Sequence, residues 1–359
     1  MKLSANKSIF LVLFGIFILQ LFFLFNSIDF YGGADNITHF RTARYAFKYP
    51  WLFLDQWGKP VYTALVFPFS LLGIQFARLF NVLVGLAAIV LTIKIIRLSN
   101  EKFNLLPVFF IAFSPMYFLL MQSCLTEILF SFVLVLSFWL FFSEKYYWAA
   151  AALSFIPFVR TEGIVIFPIF ILALILAKKY WAVPLLLIGS LFYSLVGYPH
   201  YHDWLWIFHQ MPYSLGKSVY GSGSLFSFVQ QSPNIFGWPF LAGLIIGLIV
   251  WTFRILKSLK LAEKPFLFYF LIVGSFLTYF AAHSYVWWRG TGGSLGLIRV
   301  IAAVVPLAAI IAMVGFNSIL SRIKNTTFRI ILIFAIVVLQ LVVPFKQHHL
   351  PLPIERPQA

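Results

Sequence analysis

Long apolar runs with short polar interruptions dominate this chain. After Lys2 and Lys7 an apolar stretch runs from Ile9 to Phe25, followed by a polar segment from Asp29 to Pro60. Further apolar runs occupy 76–96, 105–122, 127–142, 147–158, 163–177, 181–197, 236–253, 266–282, 297–316 and 328–345. A helix needs about 20 apolar residues to cross the hydrocarbon core. Most runs satisfy this, and the short ones at 147–158 and 163–177 need their flanking residues to span. Val61–Leu72 has about 12 residues, too few for a span, and reads as a re-entrant or interfacial helix. The first run is long for a signal peptide and no convincing small-residue cleavage site follows it, so it reads as an uncleaved crossing. The pattern predicts an all-α, polytopic helical bundle of about eleven crossings plus one short re-entrant or interfacial helix.

Composition closes off other classes. The 359 residues are 62% hydrophobic and 10% charged, whereas soluble domains are near half apolar and a quarter charged. A soluble enzyme, a nucleic-acid-binding domain and a disordered chain are excluded. The net charge of +16 fits cytoplasmic loops rich in Lys and Arg, with anionic lipid head groups as a second partner. Basic clusters fall at alternate loops: Lys94, Arg97 and Lys102; Lys145; Lys178 and Lys179; Arg254, Lys257, Lys260 and Lys264; Arg322, Lys324 and Arg329. Placing them inside, with Val61–Leu72 not crossing, puts the N-terminus in the cytoplasm and the C-terminus outside. Residues 1–345 then form one integral-membrane domain of the cell (inner) membrane. Its extracytoplasmic face carries the loops 29–60 and 198–235 and the tail 346–359. The single cysteine, Cys124, lies in an apolar run and excludes an intramolecular disulfide. Trp51, Trp57, Trp204, Trp206, Trp287 and Trp288 fall in the loops, where an interfacial aromatic belt is expected.

The outward loops hold the unusual residues. Six of ten acids (Asp29, Asp35, Asp55, Glu127, Glu162 and Asp203) share this face with His283, Arg289 and Arg299. Acids near membrane depth are costly and mark function. In Gly32-Gly33-Ala34-Asp35-Asn36-Ile37-Thr38-His39-Phe40-Arg41, the Asp35 carboxylate can act as a general base; pairing with Arg41 or Arg44 is the structural alternative. Glu127 opens a helix after Thr126, where the macrodipole also favours an acid. Arg160-Thr161-Glu162-Gly163 contains a local ion pair. His283 to Arg299 bears Arg289, four glycines and Arg299, a composition suited to a phosphate because arginine grips two of its oxygens and glycines bare the backbone amides. His200 and His202 read as a solvated pair on a loop.

These motifs, in this order, resemble the GT-C superfamily of integral-membrane glycosyltransferases. Ala34 to Ala43 occupies the frame Asp-Asp-Ala-Tyr-x-x-Phe-Arg-Tyr-Ala found after the first crossing of mannosyl- and arabinofuranosyltransferase-like members, with Asp35 on the second acid and Ala34 in place of the first. Gly58-Lys59-Pro60 resembles the Gly-Lys-Pro of the family 39 branch, and Thr126-Glu127 resembles the acid that begins a later helix. Arg160-Thr161-Glu162-Gly163 resembles Arg-Pro-Glu/Asp-Gly, and Gly296-Leu297-Ile298-Arg299 with Pro306 resembles Gly-x-x-Arg…Pro. The resemblance implies an inverting transfer of a hexosyl or pentosyl group from a polyprenyl-phosphate-linked sugar to a glycan, lipid or protein acceptor outside the cell. It implies Asp35 as base, Glu127 as an orienting acid, and Arg299, Arg289 and Lys59 against the donor phosphate. Arg160, Glu162, His283 and Arg41 would support them. It admits a divalent metal, but Ala34 removes one of the paired acids that would hold it, so no cofactor is assigned. The soluble C-terminal domain of larger members would be missing, since only Lys346–Ala359 follows the last run. A transporter or lipid-carrier flippase is the alternative, since it too needs buried charge in a polar cavity.

Overall fold

The structure, a computed structural model, describes residues 5–99, 101–212, 216–258, 263–348 and 350–352; the tail residues 353–359 and the side chains of Lys257 and Lys260, counted above for orientation, lie outside the description. Among the described residues the chain is all-α, with one isolated bridge between Lys217 and Thr291. In order the helices are α1 (Ala5–Asn26), α2 (Ala34–Tyr45), α3 (Pro60–Leu71), α4 (Ile74–Leu98), α5 (Leu106–Ala112), α6 (Pro115–Met121), α7 (Glu127–Phe142), α8 (Tyr146–Leu153) and α9 (Ile156–Val159). There follow α10 (Phe167–Leu176), α11 (Ile188–Tyr201), α12 (Trp206–His209), α13 (Ser227–Gln230), α14 (Ser232–Phe236), α15 (Trp238–Ser258), α16 (Lys264–Arg289), α17 (Val305–Leu320) and α18 (Thr326–Gln347). Short 3-10 stretches at Thr161–Ile166, Tyr180–Leu187 and Ile298–Val304 lead into α10, α11 and α17.

Among the described residues, six rods are long and apolar enough to cross a membrane: 6–26, 74–98, 180–201, 264–289, 298–320 and 326–347. Shorter apolar helices at 127–142, 146–159, 161–176 and 238–254 complete the bundle with the broken pair α5–α6. The rod 298–320 is 89% buried, while 326–347 is only 17% buried and 6–26 only 22%. The Ile298–Leu320 rod is therefore the bundle's centre, and α1 and α18 present apolar side chains outward. On α15, Gly243 and Gly247 admit α17 at backbone contact: a Cβ on Gly247 would stand 2.1 Å from the Ile311 carbonyl oxygen. Small residues four apart let helices approach in this way where lipid offers no competing hydrophobic drive.

Two expected runs are not continuous helices. The run 105–122 breaks at Phe113–Ser114 because Pro115 cannot donate its backbone bond. The freed groups are satisfied internally: the Gln340 amide donates to the carbonyls of Phe113 (2.8 Å) and Phe236 (2.9 Å). The Ser114 hydroxyl donates to the Ile235 carbonyl at 2.6 Å. The run 147–158 likewise breaks between α8 and α9.

The polar segment 29–60 is more ordered than a loop. Asn36, His39 and Ala43 are buried on one face of α2, the spacing of a helix docked by one stripe. Helix α3 packs on α2; at 12 residues it is about 18 Å long, short of a span as its sequence implies. The turn 122–125 before α7 is held by buried polar side chains. Arg78 Nε donates to the Gln122 carbonyl (2.6 Å), and the Asn81 amide to those of Ser123 (2.8 Å) and Leu125 (2.7 Å). Asn36 Oδ1 accepts the Cys124 N–H at 2.6 Å. Three side chains from α4 and α2 thereby fix where Glu127 begins α7.

Candidate active site

Four chain segments bring charged groups to one place. Asp35 lies in the first turn of α2, after Gly32 and Gly33, both at positive φ. Glu127 is the first residue of α7 and is fully buried. Arg160, with extended backbone, joins α9 to the 3-10 stretch that contains Glu162. Arg299 lies in the 3-10 stretch leading into α17. Acids at helix starts suit the local positive end of the helix dipole, but the ion pairs decide the geometry.

Arg299 Nη2 is salt-bridged to Asp35 Oδ2, and its Nε lies 3.4 Å from Glu127 Oε1. Arg160 Nη1 approaches the same Glu127 oxygen at 2.8 Å and donates to Thr126 Oγ1 at 3.0 Å. Its Nη2 and Nε reach Glu162 Oε1 at 2.6 and 2.7 Å. His283 Nε2 stands 3.9 Å from that Glu162 oxygen. Lys59 Nζ donates to Thr161 Oγ1 at 3.2 Å, between Arg160 and Glu162. The chain Asp35–Arg299–Glu127–Arg160–Glu162, with Lys59 beside it, holds three acids and three bases and is neutral overall. Neutrality is what makes so much charge tolerable in a low-dielectric site.

Gly32 is required by this closeness: a Cβ there would stand 2.8 Å from Arg299 Nη1 and 2.6 Å from Leu125 Cδ1. Several buried polar atoms around the network make no regular hydrogen bond, among them Tyr62 OH, Glu127 Oε2 and His283 Nε2. Tyr62 and Tyr279 both lie within electrostatic reach of Glu127. Native proteins leave few such atoms unsatisfied, so the network retains hydrogen-bonding capacity to spare.

Lys59 introduces α3 at φ 65°, ψ 100°, the left-handed half of the map that L residues avoid. Its amine is buried; desolvation, the largest influence, pushes it down to about 8, with Glu162 opposing. His39, one turn after Asp35 on α2, has its Nδ1 3.2 Å from the Gly58 carbonyl. Burial first, and the Lys59 cation second, press its imidazole down to about 4.

The structure brings together Asp35, Lys59, Glu127, Arg160, Glu162, His283 and Arg299. It leaves Arg41 and Arg289 outside the network: both are exposed, and Arg289 lies over the Trp288 ring at 5.6 Å. Asp55 instead accepts the Gly58 N–H, and Asp203 pairs with His209 at 2.6 Å on an exposed loop. His200 stacks on Trp51. Among the described residues no group of three or more His, Cys, Asp or Glu converges as metal ligands; Asp35 and Glu127 both face arginines. The donor set does not fit a metal. Tyr62 and Tyr279 escaped the sequence reading as site residues, because a tyrosine in an apolar run carries no local sign of what it faces; Thr126 entered it only as the neighbour of Glu127.

No family model matches the chain, and no curated protein matches it. Among solved structures it is similar to the crystal structure of ArnT from Cupriavidus metallidurans bound to undecaprenyl phosphate, at 15% sequence identity and a TM-score of 0.65. The match covers 89% of this chain and 61% of that one, so the chain spans about three fifths of its length. The chain shares that fold, and its long apolar helices make it an integral membrane protein.

Proposed function

We propose that this protein is a membrane glycosyltransferase that moves a sugar from a polyprenyl-phosphate donor to an acceptor hydroxyl outside the cytoplasm. The observation that carries the reading is the ion-pair chain from Asp35 through Arg299 to Glu127 and Arg160, with Lys59 alongside. Three cations lie within one network, in a fold shared with a protein whose crystal structure holds undecaprenyl phosphate. Guanidinium groups suit a phosphate because they present paired donors and never lose their charge.

The acceptor oxygen bonds to the anomeric carbon as the bond from that carbon to the phosphate oxygen breaks. The polyprenyl phosphate leaves with the electron pair, the acceptor proton passes to Asp35, and one displacement inverts the anomeric centre. In the structure Asp35 Oδ2 is held by Arg299, and an oxygen so engaged is not free to take the acceptor proton. A donor phosphate at Arg299 competes for that guanidinium and releases Asp35, so the base becomes available when the donor is in place. Arg299 and Lys59 neutralise the charge that builds on the leaving phosphate. Glu127, held by Arg160, keeps Arg299 aimed. Arg289, exposed beyond the network, is assigned to the donor's entry path, and Arg41 to the rim of the same face. The sugar is a hexose or pentose and the acceptor a glycan, lipid or protein of the cell envelope, with mannosyl- or arabinofuranosyl transfer the closest chemistry. The positive-inside rule, applied to the basic loops, supports an N-terminus in the cytoplasm and a site at the outer face of the cell (inner) membrane.

The test is transfer by detergent-purified protein, with short-chain polyprenyl-phosphate mannose and arabinofuranose as donors and extracted envelope glycans as acceptors. Asp35→Asn keeps the shape and removes only basicity, so a loss of about 10²- to 10⁴-fold in rate is expected in folded protein. Near-normal turnover by Asp35→Asn overturns the base assignment. A wild-type protein that neither binds undecaprenyl phosphate nor transfers either sugar overturns the reading as a whole. A lipid-carrier flippase would not need the base and would move carrier unchanged in Asp35→Asn.

A further inference from the structure

Gly58 carries the turn that delivers Lys59, and its peptide is gripped at both ends. Its N–H donates to Asp55 Oδ1. Its carbonyl faces His39 Nδ1 at 3.2 Å and accepts from Thr63 Oγ1 at 3.0 Å. A carbonyl can only accept, so Nδ1 carries the proton and the ring is the donor. His39 is itself buried, at 7% exposure, with its ring edge-on to Tyr62 at 5.5 Å. It stands four residues after Asp35 on α2, on the same helix face. The ordinary reading of a buried histidine is packing. Two facts go further: the bond ends on the residue before Lys59, and Lys59 adopts a backbone at φ 65° that its own side chain disfavours. That conformation persists only if its neighbours hold it.

We infer that His39 is a positioning residue whose Nδ1–H bond to Gly58 locks the Lys59 turn onto the helix that carries Asp35, so that amine and carboxylate keep one register. The inference rests on the phosphate-site reading of Lys59 for its functional meaning, though not for its geometry. Lys59 contacts Thr161, so the lock ties together three segments distant in sequence: the α2 start, the Gly58-Lys59-Pro60 turn and the Arg160–Glu162 junction. The neutral imidazole also spares the site a further cation beside Lys59, Arg160 and Arg299.

The experiment compares His39→Phe with His39→Asn in the purified full chain. Phe keeps a ring against Tyr62 and loses the donor; Asn loses the ring and keeps an amide N–H near the Nδ1 position. One readout is the pH midpoint of Lys59 modification by an amine reagent, followed by peptide mass spectrometry. The other is binding of undecaprenyl phosphate. Wild type should show a midpoint near about 8. In His39→Phe the midpoint should climb toward the ordinary 10.5 as the turn opens to water, and undecaprenyl phosphate should bind about three- to tenfold more weakly, the scale of one hydrogen bond. His39→Asn should restore both. An unchanged midpoint in folded His39→Phe overturns the inference, and so does an equal shift in Phe and Asn variants. Should His39→Phe not accumulate, His39→Gln takes its place, since its amide reaches the Nε2 position and not Nδ1. A midpoint that shifts as expected in a protein that never binds undecaprenyl phosphate supports the lock and sinks the transferase reading instead.

Discussion

Replacing Glu127 by Gln should destabilise the protein more than any other isosteric change in the site. Glu127 is fully buried, with Arg160 Nη1 2.8 Å and Arg299 Nε 3.4 Å from one of its oxygens. At an effective dielectric constant of about 20, a unit pair at 2.8 Å interacts by roughly 6 kcal/mol before desolvation is counted. Removing one member of a buried pair costs about 3–5 kcal/mol in practice, because the other charge is stranded. Here Arg160 keeps Glu162 and Arg299 keeps Asp35, so the cost should fall at the lower end, about 3 kcal/mol. The site changes from neutral to a net charge of one. Thermal unfolding in a single detergent should show a Tm lowered by roughly 6 °C, at about 2 °C per kcal/mol. A second substitution, Arg160→Gln, restores neutrality. The double variant should be more stable than the sum of the single losses by about 2 kcal/mol. If the two losses instead add to within about 0.5 kcal/mol, Glu127 and Arg160 are not coupled and the ion-pair chain is not what holds the site.

Arg299→Lys should keep the protein folded but recover only part of the transfer lost in Arg299→Ala, because a lysine cannot bridge Asp35 and the Glu127 edge together; donor KM, kcat or both report it, and unchanged donor kinetics in folded Arg299→Ala would remove Arg299 from the site. Donor affinity should fall as pH rises through about 8, since the buried Lys59 amine is protonated below that value and neutral above it; Lys59→Met should flatten this limb, and a limb that persists in Lys59→Met belongs to another group. In a Cys124→Ala background, a cysteine at the exposed Tyr220 should react with an impermeant thiol reagent added outside cells, while one at Lys145 should not; the reverse pattern would put the site in the cytoplasm.

The all-α bundle was legible because its code is local. A helical run satisfies its own backbone hydrogen bonds, so length and composition announce most membrane helices, and short α3 declared itself by the same arithmetic. Asp35, Glu127, Glu162 and Arg299 were also legible, since an acid or an arginine beside lipid is costly enough to need a reason. The partners of those charges were not. Within sequence reach, Asp35 had Arg41 and Arg44; the fold gives it Arg299, 264 positions away, and leaves Arg41 exposed. Arg289 shares its glycine-bearing loop with Arg299, yet α16 ends by pointing it outward while the following 3-10 turn carries Arg299 in. The breaks at Phe113–Ser114 and before α9 were hidden inside uniform apolarity, and Gln340, which caps the first, looks in the sequence like a stray polar residue on a lipid-facing helix. Hydrophobicity fixes which segments enter the membrane because it acts on each residue separately. Pairing of buried charge is decided only when distant segments meet, because a buried ion is tolerable solely beside its partner.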